Sequence, residues 1–296
     1  MPDWIAIDWG TTNLRVWAMS DAGEVQHEAS SDQGMLNVPS GGFEEKLLDL
    51  IDAWLSPEKP TLALAAGMVG ARQGWAEAPY AELPCSGLDV GAMIRVPVSD
   101  PRLDMRILPG LCQRDPADVM RGEETQICGF LSEHPDFEGM ICLPGTHSKW
   151  VEVRDGQVTR FHTALTGELF ALLSEQSVLK HSMSDGWDDA AFLDGVRGGM
   201  RAPEALIANL FAIRAASLLQ DVAPGAGKAR LSGMLISAEL AAATPEIGQV
   251  ALIGSGKMTD LYSQALIAHG IRPIPFDAGR ATQTGLTSAY RAITGA

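Results

Sequence analysis

The sequence predicts an α/β protein with two domains, and three observations support this prediction. The chain has 296 residues, which is enough for two domains that each bury a core. Its opening segment has the pattern of three strands, a helix and a fourth strand. Near residue 139, a second pair of strands joined by a glycine-containing turn repeats the beginning of that pattern.

The opening strands are predicted at Trp4 to Trp9 and Leu14 to Met19, joined by the turn-forming run Gly10-Thr11-Thr12-Asn13. A third strand, an amphipathic helix and a buried strand follow in order, at Glu24 to Ala29, Phe43 to Leu55 and Leu62 to Ala66. Three antiparallel strands followed by a helix and another strand are typical of a ribonuclease-H-like unit.

The next segment, from 71 to 104, is richer in Gly and Pro and less periodic, which predicts loops and a small cap. Asp115-Pro116 resembles an N-cap followed by proline at the first helical position. A connecting helix is therefore predicted from there through about Leu131. We place the first domain at residues 1–132.

The remaining chain is predicted to be α/β as well. Strands are expected on either side of two turns, at Gly139 to Leu143, Lys149 to Val153 and Val158 to His162. Residues 166 to 243 are mostly helical in pattern, and a strand at Val250 to Gly254 precedes a helix near Met258 to His269. A short strand and a terminal helix complete a second domain at 133–296. The last helix is also allowed to pack back against the first domain, across the cleft between the two domains.

Composition narrows the classes of function. The 22 basic and 37 acidic residues give a net charge of −15, which disfavours nucleic acid as a partner. The four cysteines form no CxxC pair, so neither disulfides nor zinc is predicted. No signal-peptide pattern and no apolar run near ~18 residues is present, so the chain is expected to be cytoplasmic with no membrane partner.

The turn after the first strand has residue types that are typical of phosphate-binding turns. Gly10 lets the backbone approach an anion closely, and Thr11, Thr12 and Asn13 offer N–H and side-chain donors. Asp8 is a candidate for holding Mg²⁺ through water, and Arg15 is a candidate for reaching a phosphate oxygen. An ordinary hairpin turn explains this segment alone equally well.

Two further glycine-containing turns favour the phosphate-binding interpretation. One lies at Pro144 to Lys149, and the other lies in ALIGSGKMTDLY at 251–262. The three turns resemble the phosphate-1, phosphate-2 and adenosine motifs of the superfamily of actin, hexokinases, heat-shock ATPases and glycerol-kinase-like sugar kinases. No Walker GxxxxGK[ST] motif is present.

The superfamily resemblance implies the actin-like ATPase fold, with two ribonuclease-H-like domains and the active site in the interdomain cleft. It implies that ATP phosphates are held by the first hairpin and by Gly145, Thr146 and His147, and that adenosine lies over Gly254, Ser255 and Gly256. Pro144 stands where many relatives carry an acidic residue, so a second carboxylate is not predicted at that turn. His147 and Lys149 bring positive charge instead, which favours a kinase over an ATPase.

A candidate catalytic base lies in DVMRGEETQICGF at 118–130. This segment resembles the Gly-Asp-Gln-Gln segment of glycerol-kinase-like enzymes, and Glu123 falls where those enzymes place their catalytic aspartate. An alcohol kinase needs a carboxylate within ~3 Å of the hydroxyl to accept its proton. Glu124 is the alternative base, and a solvated helix face is the alternative interpretation of both residues.

An ordered set of motifs extends across the chain: IDWGTTNLR (7–15), AAGMVG (65–70), LPGLC (108–112), VMRGEETQ (119–126), LPGTHSKWV (143–151), LTGEL (165–169) and QTGL (283–286). This set resembles the 2-dehydro-3-deoxygalactonokinase family. The resemblance implies that ATP phosphorylates the 6-hydroxyl of 2-dehydro-3-deoxy-D-galactonate, with Mg²⁺. A gluconate epimer or hexose acceptor, and less so a non-kinase actin-like ATPase, stay as alternatives.

Substrate contacts are predicted near the turns that line the cleft. The candidates are Gly67, Met68, Arg72, Trp75 and Lys149, with His147 as a further cation for the substrate carboxylate. Arg72 as a surface residue, Lys149 as strand packing and Trp75 as a loop anchor are the alternative interpretations. The expected partners are a small-molecule sugar acid and ATP, and a homodimer stays open.

Overall fold

The computed structural model describes residues 1–243 and 248–295. Its contacts divide the chain into two compact units. The first unit contains Met1–Phe137, Val153–Phe161 and Asp277–Ala296, and the second contains Glu138–Glu152 and His162–Phe276. The predicted boundary after residue 132 stays a prediction, and residues 244–247 and 296 of the predicted second domain lie outside the described residues.

The described residues form fourteen strands and eight α-helices. The strands are β1 (Trp4–Trp9), β2 (Leu14–Met19), β3 (Val25–Ser31), β4 (Thr61–Ala66), β5 (Tyr80–Glu82), β6 (Ile94–Arg95), β7 (Leu103–Ile107), β8 (Gly110–Arg114), β9 (Ala117–Met120), β10 (Gly139–Leu143), β11 (Ser148–Arg154), β12 (Gln157–Ala164), β13 (Val250–Gly254) and β14 (Ile274–Asp277). The helices are α1 (Phe43–Ile51), α2 (Glu123–Glu133), α3 (Thr166–Glu175), α4 (Asp189–Arg201), α5 (Leu206–Leu219), α6 (Ala226–Ala243), α7 (Gly256–Ala268) and α8 (Ala278–Thr294).

The first unit is built on a six-stranded sheet in the order β3-β2-β1-β4-β7-β6. β1 pairs antiparallel with β2 and parallel with β4, and β4 pairs parallel with β7. Five of the six residues of β1 are buried, so side chains of both faces lie in a core. This burial explains why WIAIDW is a nearly continuous apolar run rather than an alternating one. Asp8 is the strand's only charged residue and the only one of the six that is not fully buried.

The last helix, α8, packs on α2 within the first unit. An ideal Cβ at Gly129 of α2 would lie 1.9 Å from the Ala281 carbonyl oxygen, and one at Gly285 of α8 would lie 1.9 Å from the Thr125 carbonyl oxygen. Each helix therefore uses a glycine to let the other backbone approach. The indole of Trp4 stacks on the Tyr290 ring at 4.6 Å, which joins the sheet to the same helix.

The second unit is built on a five-stranded sheet in the order β12-β11-β10-β13-β14. This is the order of β3-β2-β1-β4-β7 in the first sheet, and β10 pairs parallel with β13 as β1 does with β4. Two sheets with this order confirm the predicted α/β fold of two ribonuclease-H-like units. Helices α4 and α6 pack closely in this unit, because Gly195 and Gly233 leave room for the opposing backbones.

The helix predicted from Asp115 is wrong over its first part. β8 and β9 form an antiparallel hairpin with Leu111 opposite Met120, and Asp115-Pro116 is its turn. The Gln113 side chain closes the turn by donating to the Pro116 carbonyl at 2.8 Å. Asp-Pro occurs at the starts of helices and in hairpin turns, so the dipeptide alone does not choose between them. The pairing of β8 with β5 in a three-stranded sheet selects the turn.

Among the described residues, no single helix has both the length and the hydropathy of a membrane span. The adjacent pair Asp189–Arg201 and Pro203–Leu219 passes that test of length and composition when taken together, with a bend of 112° between its two parts.

Candidate active site

The turn after β1 is held from behind by the segment at residues 34–36. The carbonyl oxygens of Gly10, Thr11 and Thr12 accept the N–H groups of Met35, Leu36 and Gly34, at 3.0, 3.1 and 3.2 Å. A Cβ on Gly34 would lie 2.2 Å from the Thr12 carbonyl carbon. Sequence reasoning missed Gly34, because its role comes from a contact with a turn more than twenty residues earlier.

Asp8 and Arg15 form an ion pair across β1 and β2. They are direct partners in the strand register, and Arg15 Nε donates to Asp8 Oδ2 at 3.1 Å. The Arg15 guanidinium also lies 5.7 Å from the centre of the Trp17 ring. An open cavity of about 650 Å³ borders this pair, and it is lined by Asp8, Gly10, Thr12, Asn13, Arg15, Ser30, Ser31 and Asp32.

Two glycines bring the ends of β1 and β4 against the start of α2. Gly67 follows β4 with a φ of 98°, and a Cβ there would lie 2.7 Å from the Trp9 carbonyl oxygen and 3.6 Å from Asp8 Oδ1. Gly122 precedes α2 with a φ of 106°, and a Cβ there would lie 3.2 Å from the Gly67 Cα. Both backbones adopt the left-handed region that favours glycine. The Asp8 strand end and the Glu123 helix start are therefore adjacent within the first unit.

The two candidate bases at the start of α2 have different environments. Glu123 is half-buried, and its Oε2 accepts the Arg121 backbone N–H at 3.0 Å. Glu124 is 1% exposed, and its Oε2 accepts the Gly122 N–H at 2.7 Å. Burial, and secondly the charge of Glu123, raise the pKa of Glu124 to about 8. Glu123 is thus the carboxylate of this pair that a ligand can reach.

Arg121, two residues before Glu123, is buried. Its Nη2 donates to the Ala78 carbonyl at 2.8 Å, and its guanidinium lies 4.3 Å from the centre of the Tyr80 ring. Its Nε and Nη1 are buried without a hydrogen-bond partner. A buried cation next to the helix start therefore anchors the loop at 70–80 to the segment that carries Glu123.

The predicted substrate contacts in the first unit have three different environments. Gly67 lies at the contact with the start of α2, and Met68, the next residue, is partly buried against the core. Trp75 packs against Trp9, with ring centres 6.0 Å apart, so it has the surroundings of a loop anchor. Arg72 is exposed, and its Nε lies 3.4 Å from Glu77 Oε1.

In the second unit, the turn between β10 and β11 is held by the start of α3. A Cβ on Gly167 would lie 2.5 Å from the Gly145 carbonyl oxygen, and the Glu168 N–H donates to the Thr146 carbonyl at 3.0 Å. The Glu168 carboxylate also bonds His147 Nε2. The turn therefore does have a carboxylate beside it, supplied by α3 rather than by the strand, and sequence reasoning missed it although LTGEL was among the motifs.

Lys149 is buried in β11, and its Nζ donates to the Thr163 hydroxyl at 2.7 Å. The structure thus places this predicted substrate contact inside the sheet of the second unit. Its side chain has the strand-packing surroundings that the sequence offered as an alternative.

The predicted adenosine segment joins β13 to α7. Ser255 is the N-cap of α7, and a Cβ on Gly254 would lie 2.3 Å from the Thr259 hydroxyl oxygen. A cavity of about 220 Å³ borders the start of α7, and it is lined by Thr166, Gly167, Phe170, Trp187, Lys228, Ser232, Leu235, Ile236, Lys257, Met258 and Leu261. Lys257 Nζ lies 4.1 Å from the centre of the Trp187 ring. Gly167 touches the 145–147 turn, so that turn and this cavity are neighbours.

Comparison with known proteins identifies a family for this chain. The model of the 2-keto-3-deoxy-galactonokinase family matches residues 8–289. A curated protein of Rhizobium meliloti (strain 1021), named as an inferred 2-dehydro-3-deoxygalactonokinase, is 39% identical over 97% of this chain and 96% of its own. The 2-dehydro-3-deoxygalactonokinase of Escherichia coli (strain K12) is 32% identical over 98% of each chain.

Solved structures give the same result. A crystal structure from Sinorhizobium meliloti, also named as an inferred 2-dehydro-3-deoxygalactonokinase, is 38% identical with a TM-score of 0.90 over 99% of this chain and 97% of its own. Component A of (R)-2-hydroxyglutaryl-CoA dehydratase from Acidaminococcus fermentans is 14% identical with a TM-score of 0.51 over 98% of each chain, which shows the fold alone. This chain belongs to the 2-keto-3-deoxy-galactonokinase family.

Proposed function

We propose that this chain transfers the γ-phosphoryl group of ATP to the 6-hydroxyl of 2-dehydro-3-deoxy-D-galactonate, giving the 6-phosphate in galactonate catabolism. Family membership supports a sugar-acid kinase. The observation that carries the proposal is the Gly67–Gly122 contact, which sets a half-buried carboxylate, Glu123, beside the strand end that bears Asp8. A phosphate-binding turn next to a reachable carboxylate is the arrangement that phosphoryl transfer to an alcohol needs.

Glu123 is the proposed general base. As the 6-hydroxyl oxygen bonds the γ-phosphorus, the bond from that phosphorus to the β-phosphate oxygen breaks and ADP leaves. Glu123 accepts the proton that the hydroxyl gives up. Glu124 is unsuited to this role, because it is buried and its raised pKa, about 8, keeps it protonated at neutral pH.

The ATP phosphates are proposed to meet the N–H groups of two turns, residues 10–13 and 145–147. The carbonyl oxygens of Gly10, Thr11 and Thr12 already accept the N–H groups of segment 34–36, and the Gly10 N–H donates to the Asn13 carbonyl at 2.9 Å. The N–H groups of Thr11, Thr12 and Asn13 are therefore the ones proposed for an anion at this turn. Adenosine is proposed to lie at Gly254, Ser255 and Gly256, beside the cavity that Lys228 and Lys257 line. That cavity is predominantly apolar in its lining, as a base requires.

Asp8 fits the Mg²⁺ that this reaction uses. Its Oδ2 is bound by Arg15, while its Oδ1 faces the space that a side chain at position 67 would enter. Mg²⁺ commonly takes one or two carboxylates, keeps several waters and binds the substrate phosphates. When bound with ATP, it neutralises charge on the β- and γ-phosphate oxygens. Among the described residues no group of three or more His, Cys, Asp or Glu forms a metal cage, so Asp8 is proposed to act through water.

Arg72 is our candidate for the substrate carboxylate. Arg72 and Glu77 are both exposed, and breaking an ion pair between exposed side chains costs a free energy of ~1 kcal/mol or less. Arg72 can therefore leave Glu77 to bind a substrate carboxylate. We expect Arg72→Met to raise the KM for the sugar acid by about tenfold and to leave the KM for ATP unchanged. Arg95→Met is the matched control, because Arg95 is also an exposed arginine paired with a carboxylate. Equal effects of the two changes would exclude Arg72.

A cytoplasmic setting is proposed because all four cysteines are free: Cys142 is buried, and the other three are half-buried. Burial raises the pKa of the Cys128 thiol to about 11, which makes it a poor nucleophile. Thiol titration of freshly purified protein is expected to find four reduced cysteines after denaturation. Fewer than four would contradict a reducing compartment.

The experiment for the whole proposal is an assay of ADP release with ATP, Mg²⁺ and a panel of acceptors. The panel contains the keto-deoxy acids of galactonate and gluconate, together with glucose and glycerol. We expect turnover of the galactonate-derived acid, and the ratio of its kcat/KM to that of the gluconate epimer measures selectivity. Turnover confined to the neutral compounds, or ATP hydrolysis that ignores every acceptor, would overturn the proposal.

A further inference from the structure

Four polar side chains of the second unit converge on the carboxylate of Glu239, which lies on α6. Trp150 Nε1 donates to Oε1 at 2.7 Å, and the Tyr262 hydroxyl donates to Oε2 at 2.6 Å. The hydroxyls of Ser148 and Thr166 also hydrogen-bond this carboxylate. We call these five residues the Glu239 cluster. Glu239 is 6% exposed, and a carboxylate at such a position is tolerated only when donors satisfy it.

The donors come from the elements that carry the proposed nucleotide contacts. Ser148 and Trp150 lie on β11, and Ser148 directly follows the 145–147 turn. Thr166 begins α3, next to the Gly167 that touches this turn. Tyr262 lies on α7, which begins at the adenosine segment. A single carboxylate thus bonds the strand that follows the proposed phosphate turn, the helix that packs against this turn, and the helix that follows the adenosine segment.

Two hydroxyls of the cluster also lie within hydrogen-bond distance of each other, and because Tyr262 gives its one proton to Glu239, the single Ser148 proton is shared between the Tyr262 and Glu239 oxygens. Ser148 Oγ and the Tyr262 hydroxyl lie 2.7 Å apart, and both side chains are fully buried. Hydrogen bonds fix distance and angle, whereas apolar contacts between the same elements would tolerate sliding. Well-packed apolar residues often stabilise a fold as much as a buried polar group does, or more. We therefore expect the cluster to matter mainly because it fixes the relative positions of the elements that it joins.

We propose that Glu239 is a positioning residue for the nucleotide, which holds the 145–147 turn and the start of α7 at the spacing that ATP requires. This inference rests on the proposed function, because it takes those two segments as the phosphate and adenosine contacts. Glu239 itself touches neither substrate: it acts through Ser148, Thr166 and Tyr262. Its effect therefore falls on the nucleotide, while the sugar-acid candidates of the first unit are left alone.

The test is Glu239→Gln in the full chain. Glutamine keeps the volume but presents an NH₂ group where an oxygen accepts, so one donor of the cluster faces another donor. We expect the Kd for ADP, measured by calorimetry, and the KM for ATP to rise about tenfold, with the KM for the sugar acid changed less than about twofold. A general loosening of the fold would raise both KM values together.

Ser237→Ala is the matched control. Ser237 is buried on the same helix two residues away, and it bonds His269 Nε2 at 3.1 Å rather than a member of the Glu239 cluster. It is expected to lower the melting temperature without changing either KM. Tyr262→Phe, which removes one donor and leaves the carboxylate, is expected to raise the Kd for ADP by about threefold, and it serves if Glu239→Gln does not fold.

Unchanged ADP affinity in Glu239→Gln, or in Tyr262→Phe if that variant alone folds, would overturn the inference. So would equal increases of the two KM values. A wild-type chain that binds ADP but turns over none of the acceptors would overturn the proposed function, and the calorimetric comparison of the variants would still decide the role of Glu239. A wild-type chain that binds no ADP would overturn both.

Discussion

At the residue scale, the adjacent carboxylates Glu123 and Glu124 offer a direct comparison. We expect Glu123→Gln to lower kcat by about a hundredfold or more, with a small change in the KM for ATP, because a glutamine cannot accept the proton of the substrate hydroxyl. Glu124→Gln is the control, since Glu124 is buried and its pKa, about 8, leaves it neutral at pH 7. Steady-state kinetics of both variants decide the assignment. A larger loss in Glu124→Gln than in Glu123→Gln would transfer the base role to Glu124.

Glu124 also predicts how stability depends on pH. Burial raises its pKa from an ordinary value near 4.5 in the unfolded chain to about 8 in the folded chain. The folded state therefore binds more protons between these values, and the contribution of Glu124 to stability is lost as pH rises through about 8. Glu124→Gln removes this loss, so the melting temperature of the variant minus that of wild type is expected to increase from about pH 5 to about pH 8. A constant or decreasing difference would contradict the raised pKa.

At the scale of elements, the α2–α8 contact controls where Glu123 stands. A side chain at position 285 would collide with the Thr125 carbonyl at 1.9 Å, and backbone cannot move aside as a flexible side chain can. We expect Gly285→Ala to lower the free energy of unfolding by about 1–3 kcal/mol and to lower kcat as well, because α2 carries the base at its first residue. Denaturant titration and kinetics measure the two effects.

Gly198→Ala in α4 is the comparison for that change, because a Cβ there meets nothing within 4 Å. Alanine is a better helix former than glycine by about 1 kcal/mol, so this variant is expected to be as stable as wild type or more stable. A destabilisation of both variants by the same amount would show that close approach at Gly285 is not the cause.

Local chemistry explains which elements the sequence could predict. The hairpin at Trp4 to Met19 was predicted correctly, because the turn Gly10-Thr11-Thr12-Asn13 and the flanking apolar runs are contained in one segment. The prediction of a helix from Asp115 was wrong, because Asp115-Pro116 can serve as an N-cap or as a hairpin turn. Only the pairing of β8 with β5 and with β9 selects the turn. Element boundaries that depend on distant strands are beyond local reasoning.

The same distinction holds for the candidate site. The three glycine-containing turns could be found from residue type and order, and they stay predictions as binding sites. Gly34 and Glu168 could not be found, because each supports a turn that is at least twenty residues away in the chain. The surroundings of Arg121 likewise require the loop at 70–80 to be in place.

At the scale of the whole molecule, the proposed nucleotide contacts come from segments far apart in the chain. An unfolded chain cannot present them together, so ADP binds the folded state and stabilises it. At a free ADP concentration of about 100 times its Kd, the gain in the free energy of unfolding is expected to be about 2.7 kcal/mol. Thermal denaturation with and without ADP measures this gain, and adenosine alone is expected to give a smaller one because it lacks the phosphates.

Lys257 connects this stabilisation to the cavity at the start of α7. It lines that cavity with its ammonium group over Trp187, so it is placed to pair with an anionic nucleotide. We expect Lys257→Met to reduce the ADP-dependent increase in melting temperature while the melting temperature without ADP stays close to wild type, because the methionine keeps the apolar contact with Trp187. Lys59→Met is the matched control, since Lys59 is an exposed lysine of the first unit and the same charge is removed. A full ADP response in Lys257→Met, or an equal loss in Lys59→Met, would place the nucleotide away from this cavity.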